Sequence, residues 1–217
     1  MNIIFETIKN TPLFREIAVN DFEALLNCLS AKITAYKKNE IILLSGESIN
    51  FVGVILSGGA KIIKEDINGH SSILTELAVS DIFCEVFACA GIAQSPVTIQ
   101  ATYNAEILYI DYKKVITACS AACPFHAALI KNMLQTIAEK NLMLNQKIEI
   151  LSKRTTREKL LCYFDAHRGT KTKFTIPYNR EELAGYLCVD RSAMSNELCK
   201  MRDDGLIEFK KNTFEML

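Results

Sequence analysis

Ile130, Leu134, Ile137, Asn141, Leu144, Ile148 and Leu151 alternate spacings of four and three along a stretch that Pro124 opens and that runs to about Lys153. That alternation is the a/d seam of a helix that pairs with another helix, and it demands an apolar partner along its length. The seam has a single polar member. Asn141 falls at an a position, where paired asparagines across a two-fold axis favour a parallel, in-register dimer at some cost in stability. A helix packed only on its own domain is the competing arrangement. The dimer is preferred because a second stripe, Leu129, Met133, the Lys140 stem and Met143, is left to cover whatever precedes the helix.

What precedes it reads differently. The segments ITAYKK, EIILLSG, NFVGVILSGGAKIIKEDINGHSSILTEL and PVTIQATYNAEILYID are rich in Ile, Val, Tyr and Thr, with turn signals at Ser45-Gly46, Gly58-Gly59 and Asn68-Gly69. Asn68-Gly69 between two β-prone runs predicts a two-residue hairpin, whose turn needs positive φ at both positions. Many short strands of this kind predict a sandwich or barrel-like roll. Upstream, Thr11 to Ala31 reads as short helices, with Asn20 and Glu23 spaced as a capping box.

After the Ser152-Lys153-Arg154 junction, Thr156 to Ala166 predicts a helix, and His167 to Lys173 is basic and turn-like. Asn179, with Glu182 three residues on, caps a helix ending near Leu187; Asp190 caps another, from Arg191 to about Asp204, which Gly205 terminates. The remaining LIEFKKNTFEML reads as two strands around Lys211-Asn212. Helix, short turn, helix and hairpin describe a winged helix-turn-helix, whose second helix enters the DNA major groove. Ala193, Met194, Leu198 and Met201 are the expected buried stripe of that helix, leaving Arg191, Ser192, Ser195, Asn196 and Cys199 outside. Arginine can bond a guanine edge twice and asparagine an adenine edge twice, while serine is permissive. The expected fold is therefore α+β, with domains at 1–123, 124–153 and 154–217. Residues 154–217 carry 12 Lys and Arg against 10 Asp and Glu, which permits nucleic-acid binding without requiring it.

In TREKLL, NREELAGYLCVDRSAMSNELCKMRDDGLI, ILSGGAKIIKEDINGHSSILTELAVSDIFCEVF and YNAEILYIDYKKV, the chain resembles the CRP/FNR (cyclic-AMP receptor protein/FNR) family of regulators. The resemblance implies a cupin-like, cyclic-nucleotide-binding-like β-roll, a long dimerisation helix and the winged helix-turn-helix. It also implies a homodimer on a two-fold symmetric double-stranded DNA operator, acting with RNA polymerase if it activates. Base-reading positions carry over to Arg191, Ser192, Ser195 and Asn196, and phosphate-contacting positions to Asn179 and Arg180. Two departures stand out: Asn196 replaces a frequent arginine, and Cys188 occupies a turn position that is often glycine.

The sensor departs further. Cyclic-nucleotide binders of the family use Gly-Glu-Leu and an Arg-Ser pair; here Cys84-Glu85-Val86 and Gln94-Ser95-Pro96-Val97 stand in those places, with Ser95 where the phosphate-binding arginine would be. A cyclic phosphate would lose its charge-assisted bidentate contact, so cyclic AMP is not expected. An iron–sulfur cluster is not expected either, since no group of thiols precedes Cys28, and haem is not assigned. The expected effector is a small organic molecule between roll and long helix, near Glu85, Val86, Phe87, Ser95, Pro96, Asn141 and Met143. Competing readings are a redox-, metal- or haem-sensing regulator using its cysteines, with Cys119, Cys123 and His126 spaced four and three apart, and a cupin-like enzyme. Three histidines without an HxH pair, and no nucleophile or phosphate-loop motif, leave catalysis and a metal centre unassigned. Eight scattered cysteines fit reduced thiols, and neither a signal peptide nor a membrane-length apolar run is read, so the expected location is the cytoplasm.

Overall fold

A computed structural model describes residues 2–66, 71–117 and 125–217. Asn68-Gly69, His70, Cys119, Cys123 and Pro124 lie outside the described residues. Two compact units divide the chain, Met1–Ala138 and Glu139–Leu217, and the boundary falls within the long helix.

The first unit starts with helices α1 (Asn2–Asn10) and α2 (Phe22–Cys28), then strands β1 (Lys32–Tyr36), β2 (Ile41–Leu43), β3 (Phe51–Ser57), β4 (Ala60–Glu65), β5 (Ser71–Leu77) and β6 (Ile82–Phe83). Helix α3 (Glu85–Cys89), strands β7 (Thr98–Ala101) and β8 (Ala105–Asp111), helix α4 (Tyr112–Ile116) and the start of α5 (Phe125–Ser152) complete it. Two four-stranded antiparallel sheets, ordered β1-β8-β3-β6 and β2-β7-β4-β5, form the expected roll. β4 and β5 pair from Ala60 with Leu77 to Glu65 with Ser71, as the arms of the predicted hairpin should.

Alternation along β3 and β8 sends side chains to two cores. Val52, Val54, Leu108 and Ile110 face Leu13, Phe14, Phe22, Leu129 and Met133 on the helical side. Ile55 and Ile107 face Ile99, Ala101 and Phe83 between the sheets. Gly53 lies under the Phe83 ring, where a Cβ would come within 2.1 Å of the ring, so only glycine fits beneath it. Buried Asn132 of α5 donates to the carbonyls of Leu13 (3.1 Å) and Arg15 (2.7 Å), tying the helix to the N-terminal segment.

Three expectations change here. Asn20 does not cap α2, because a 3-10 turn over Val19–Asp21 runs straight into the helix; Asp21 becomes the cap residue in helical conformation, and its side chain makes no capping bond. Met143 does not cover the roll: it is 68% exposed and belongs to the second unit. Burial along α5 stops at Thr136 and resumes at Ile150, leaving Leu142, Met143, Leu144 and Ile148 at 62–68% exposure. His167 is not in a turn, since the following helix runs two residues past Ala166, and a short strand succeeds the basic segment.

The second unit holds the end of α5, then α6 (Thr156–Arg168), β9 (Lys173–Thr175), α7 (Arg180–Leu187), α8 (Arg191–Asp203), β10 (Ile207–Lys210) and β11 (Thr213–Met216). Its three strands pair antiparallel in the order β10-β11-β9. Ile150, Leu160, Phe164, Leu183, Met194 and Phe214 share one core with the remaining apolar faces of these elements. Among the described residues no helix is long and apolar enough to cross a membrane.

Candidate nucleic-acid interface

Local chemistry fixes both ends of α7. Asn179 accepts from the amides of Glu181 (2.9 Å) and Glu182 (3.0 Å), while the Glu182 carboxylate accepts from the Asn179 amide (2.7 Å). This closes the predicted capping box. At the other end Cys188 takes the left-handed conformation, φ 52° and ψ 53°, and the Val189 amide reaches back to Ala184 O at 3.1 Å. The chain thus turns as it would with glycine there.

Asp190 then caps α8, accepting from the Ala193 amide at 2.8 Å and from the Ser192 hydroxyl at 2.5 Å. Those bonds, the hydroxyl's first, hold its carboxyl below the ordinary range. Gly205, at φ 72°, ends the helix: its amide bonds Arg202 O, and the Leu206 amide bonds Met201 O. Met194, Leu198 and Met201 are buried. Ala193 is exposed, contrary to expectation, because the buried stripe follows steps of four and three from 194 and leaves 193 about 100° away.

The outer face carries Arg191, Ser192, Asn196 and Cys199, all exposed, with Ser195 half-buried and donating to Arg191 O at 2.9 Å. Arg180 lies differently. Its guanidinium carbon stands 5.2 and 5.0 Å from the ring centroids of Phe209 and Phe214, and Nη2 donates to Lys211 O at 3.0 Å. Burial draws its pKa down, and Nη1 is buried without a hydrogen-bond partner among the described residues. Asn179, Arg180, Lys210, Lys211, Asn212 and Thr213 line a groove of about 600 Å³ there.

Sequence reasoning missed two cations, one behind α8 and one at the end of α7. Arg157 of α6 bonds Glu197 of α8 (Nε to Oε1, 2.5 Å) and Asp204 at its C-cap (Nη1 to Oδ2, 2.7 Å). Lys147 donates to Tyr186 O and stands 3.2 Å from the Tyr186 ring centroid, and burial lowers its pKa. These partners lie 39 to 47 residues apart, so no local spacing announces them.

In the roll, Glu85 is 2% exposed and opens α3; Val86 is exposed, and Phe87 is half-buried against the inter-sheet core. Ser95 is buried, with its hydroxyl donating to Val97 O at 2.6 Å, and Pro96 is exposed. Asn141 and Met143 are exposed residues of the second unit, and Asn141 accepts from Asn145 Nδ2 at 2.8 Å. Cys84 adopts left-handed φ of 64°, and burial followed by the Glu85 charge pushes its thiol up to about 12. Tyr36 and Tyr109 share a hydroxyl bond of 2.6 Å, and Tyr109 is held above the ordinary phenol range, mainly by burial.

A cyclic nucleotide-binding domain model matches residues 33–121, and a Crp-like helix-turn-helix domain model matches 158–217. A search of curated proteins returned no significant match. Among solved structures, DNR from Pseudomonas aeruginosa is similar at 17% identity and TM-score 0.53, covering 98% of this chain and 92% of its own. The c-di-GMP responsive global regulator CLP of Xanthomonas campestris is similar at 14% identity and TM-score 0.57, covering 92% and 99%. A CooA mutant from Carboxydothermus hydrogenoformans is similar at 21% identity and TM-score 0.56, covering 89% and 85%. These likenesses carry the fold. With its cyclic nucleotide-binding and Crp-like helix-turn-helix domains joined by the long helix, the chain belongs to the CRP/FNR family of transcription regulators.

Proposed function

We propose that the protein is a homodimer that reads a two-fold symmetric DNA operator with α8 and is switched by a small organic effector, other than cyclic AMP, held in the roll. The observation carrying the DNA reading is the outward face of α8, where Arg191, Ser192 and Asn196 project from a helix capped at both ends and seated on Met194, Leu198 and Met201. Arg191 is the guanine reader, Asn196 the adenine reader, and Ser192 and Ser195 supply permissive contacts. Asn179 and Arg180 meet the phosphate backbone beside the lysine-lined groove. The exposed apolar residues of α5, Leu134, Leu144 and Ile148, serve the partner chain.

Ser95 supports the negative statement about the effector. Its hydroxyl is already engaged with Val97 O and it brings no cation for a cyclic phosphate. The high thiol pKa of Cys84 weighs against a thiolate-based switch at that point. Selection of bound duplexes from a random pool, with and without cell extract, tests the whole reading. A symmetric motif, bound with a steep salt dependence and blurred at one base pair by Arg191→Ala, supports it; no enrichment under either condition defeats it. Saturable stabilisation by cyclic AMP would overturn the effector statement.

A further inference from the structure

Lys147 of α5 and Lys159 of α6 converge on the C-terminal end of α7. The first donates to Tyr186 O and covers the Tyr186 ring, and the second donates to Leu187 O at 3.1 Å. A helix C-terminus leaves its last carbonyls without intrahelical partners and carries partial negative charge, so a cation there compensates both. Two such carbonyls of α7 are therefore held by side chains from two other helices.

The origin of Lys147 matters more than its bond. Three residues further along α5, Ile150 is fully buried in the core of the DNA-binding unit. At about 100° per residue, Lys147 and Ile150 lie on one flank, about 100° round the helix from the Leu144 and Ile148 side of the seam. Leu144 and Ile148 are 62% and 64% exposed, so the same two turns of α5 grip the reading head on one flank and present an apolar seam on another. Residues 153–155 alone join α5 to α6, so few backbone torsions separate the two helices and a side-chain contact across them can fix their orientation.

Resting on the dimeric DNA reading above, we infer that Lys147 is a positioning residue that locks the helix-turn-helix to the seam-bearing turns of α5, so that helix pairing sets the separation of the two recognition helices. It touches no DNA. Its contribution belongs to simultaneous engagement of two half-sites, which depends on their spacing of about one helical turn. Binding to one half-site makes no use of it.

The test compares full-length wild type, Lys147→Met, which keeps an unbranched apolar side chain but drops the cation, and Lys147→Arg, which keeps a cation. Each is titrated against the selected operator, a single half-site, and operators with spacers altered by one or two base pairs, with far-UV spectra and sedimentation as folding and dimer controls. Expected for Lys147→Met are unchanged half-site affinity, a loss of about tenfold or more on the two-half-site operator, and a flattened spacer preference, because avidity depends on geometry. Lys147→Arg retains most of the wild-type spacer preference. Equal losses on half-site and full operator would place Lys147 in the reading head and overturn the inference, as would wild-type spacer discrimination in a folded Lys147→Met dimer. A Lys147→Met chain that loses dimers or secondary structure would also overturn it, since the contact would then be needed for assembly. A wild-type protein that selects no DNA defeats the underlying reading instead, which keeps the two failures distinct.

Discussion

Replacing Cys188 tests how the helix-turn-helix turn is made. Cys188 holds φ 52° and ψ 53°, a left-handed conformation that costs a residue with a Cβ about 1–2 kcal/mol. Glycine removes that strain but adds unfolded-state freedom worth about 0.4–1 kcal/mol. The side chain is exposed, and Sγ to Gly185 O at 3.7 Å is a weak sulfur hydrogen bond. Cys188→Gly should therefore stabilise the C-terminal unit by about 0.5–1 kcal/mol, the difference between the two backbone effects. Cys188→Ala keeps the Cβ and the strain while losing the sulfur contact, so it should gain nothing. For a unit of this size each kcal/mol corresponds to about 4–8 °C in melting temperature. Calorimetry of the full chain, with amide exchange at Val189 reporting the turn directly, reads the difference. Equal stability of the glycine and alanine variants would refute the reasoning, because the Cβ by which they differ should cost more in a left-handed backbone than it saves in unfolded-state freedom.

Arg157→Met should lower operator affinity while leaving the α6 helix formed, because it frees Glu197 and Asp204 and lets α8 shift on its platform; gel shifts alongside circular dichroism read both effects. Glu158 and Asp190 are held below their ordinary values of 4.5 and 3.8, chiefly by bonds from the Thr155 amide and the Ser192 hydroxyl respectively, so folding favours their charged forms. That stability is fully present above about pH 4.5 and is lost as pH falls through the depressed values; urea midpoints at pH 7, 4.5 and 3 should fall for wild type and flatten in a Glu158→Gln, Asp190→Asn double variant. Gly53→Ala drives a methyl to within 2.1 Å of the buried Phe83 ring and should cost the roll about 1–3 kcal/mol by urea unfolding.

The parts of the fold legible in the sequence are those decided within four residues. Asn179 with Glu182, and Asp190 before Arg191, act through bonds to their own helix termini and stand as their spacing foretold. The same spacing at Asn20 and Glu23 failed because the 3-10 turn ahead of α2 keeps the backbone helical through Asp21, so no side chain swings back. Lys173 hid at the end of a basic turn because β11 beside it, rather than local composition, makes Lys173–Thr175 a strand. For the interface, side-chain chemistry was legible on Arg191, Ser192 and Asn196. Their mounting was not, since Arg157 reaches Glu197 and Asp204 only through tertiary packing.

The long helix shows what apolar periodicity can and cannot say. Leu129 and Met133 are buried in the roll's helical core, yet Met143, on the same sequence stripe, is exposed together with Leu142, Leu144 and Ile148. Period identifies a face; which body covers it depends on where the domain stops, and here apolar cover from the first unit reaches Ile137 and leaves Leu142, Leu144 and Ile148 open. An apolar run left open in the single chain is the signature of a surface that another body covers. Asn141 lies within that run, and among the described residues its side chain bonds along its own helix, to Asn145 at 2.8 Å. If two copies pair there, Asn141→Leu should tighten dimerisation, because apolar contact replaces a polar layer, and should loosen register, because nothing then penalises slippage. Sedimentation across a dilution series should give a lower dissociation constant for the variant, and the operator spacer preference should broaden. Complete loss of dimers on Asn141→Leu would contradict the seam, since removing a polar group from a true apolar interface cannot abolish it.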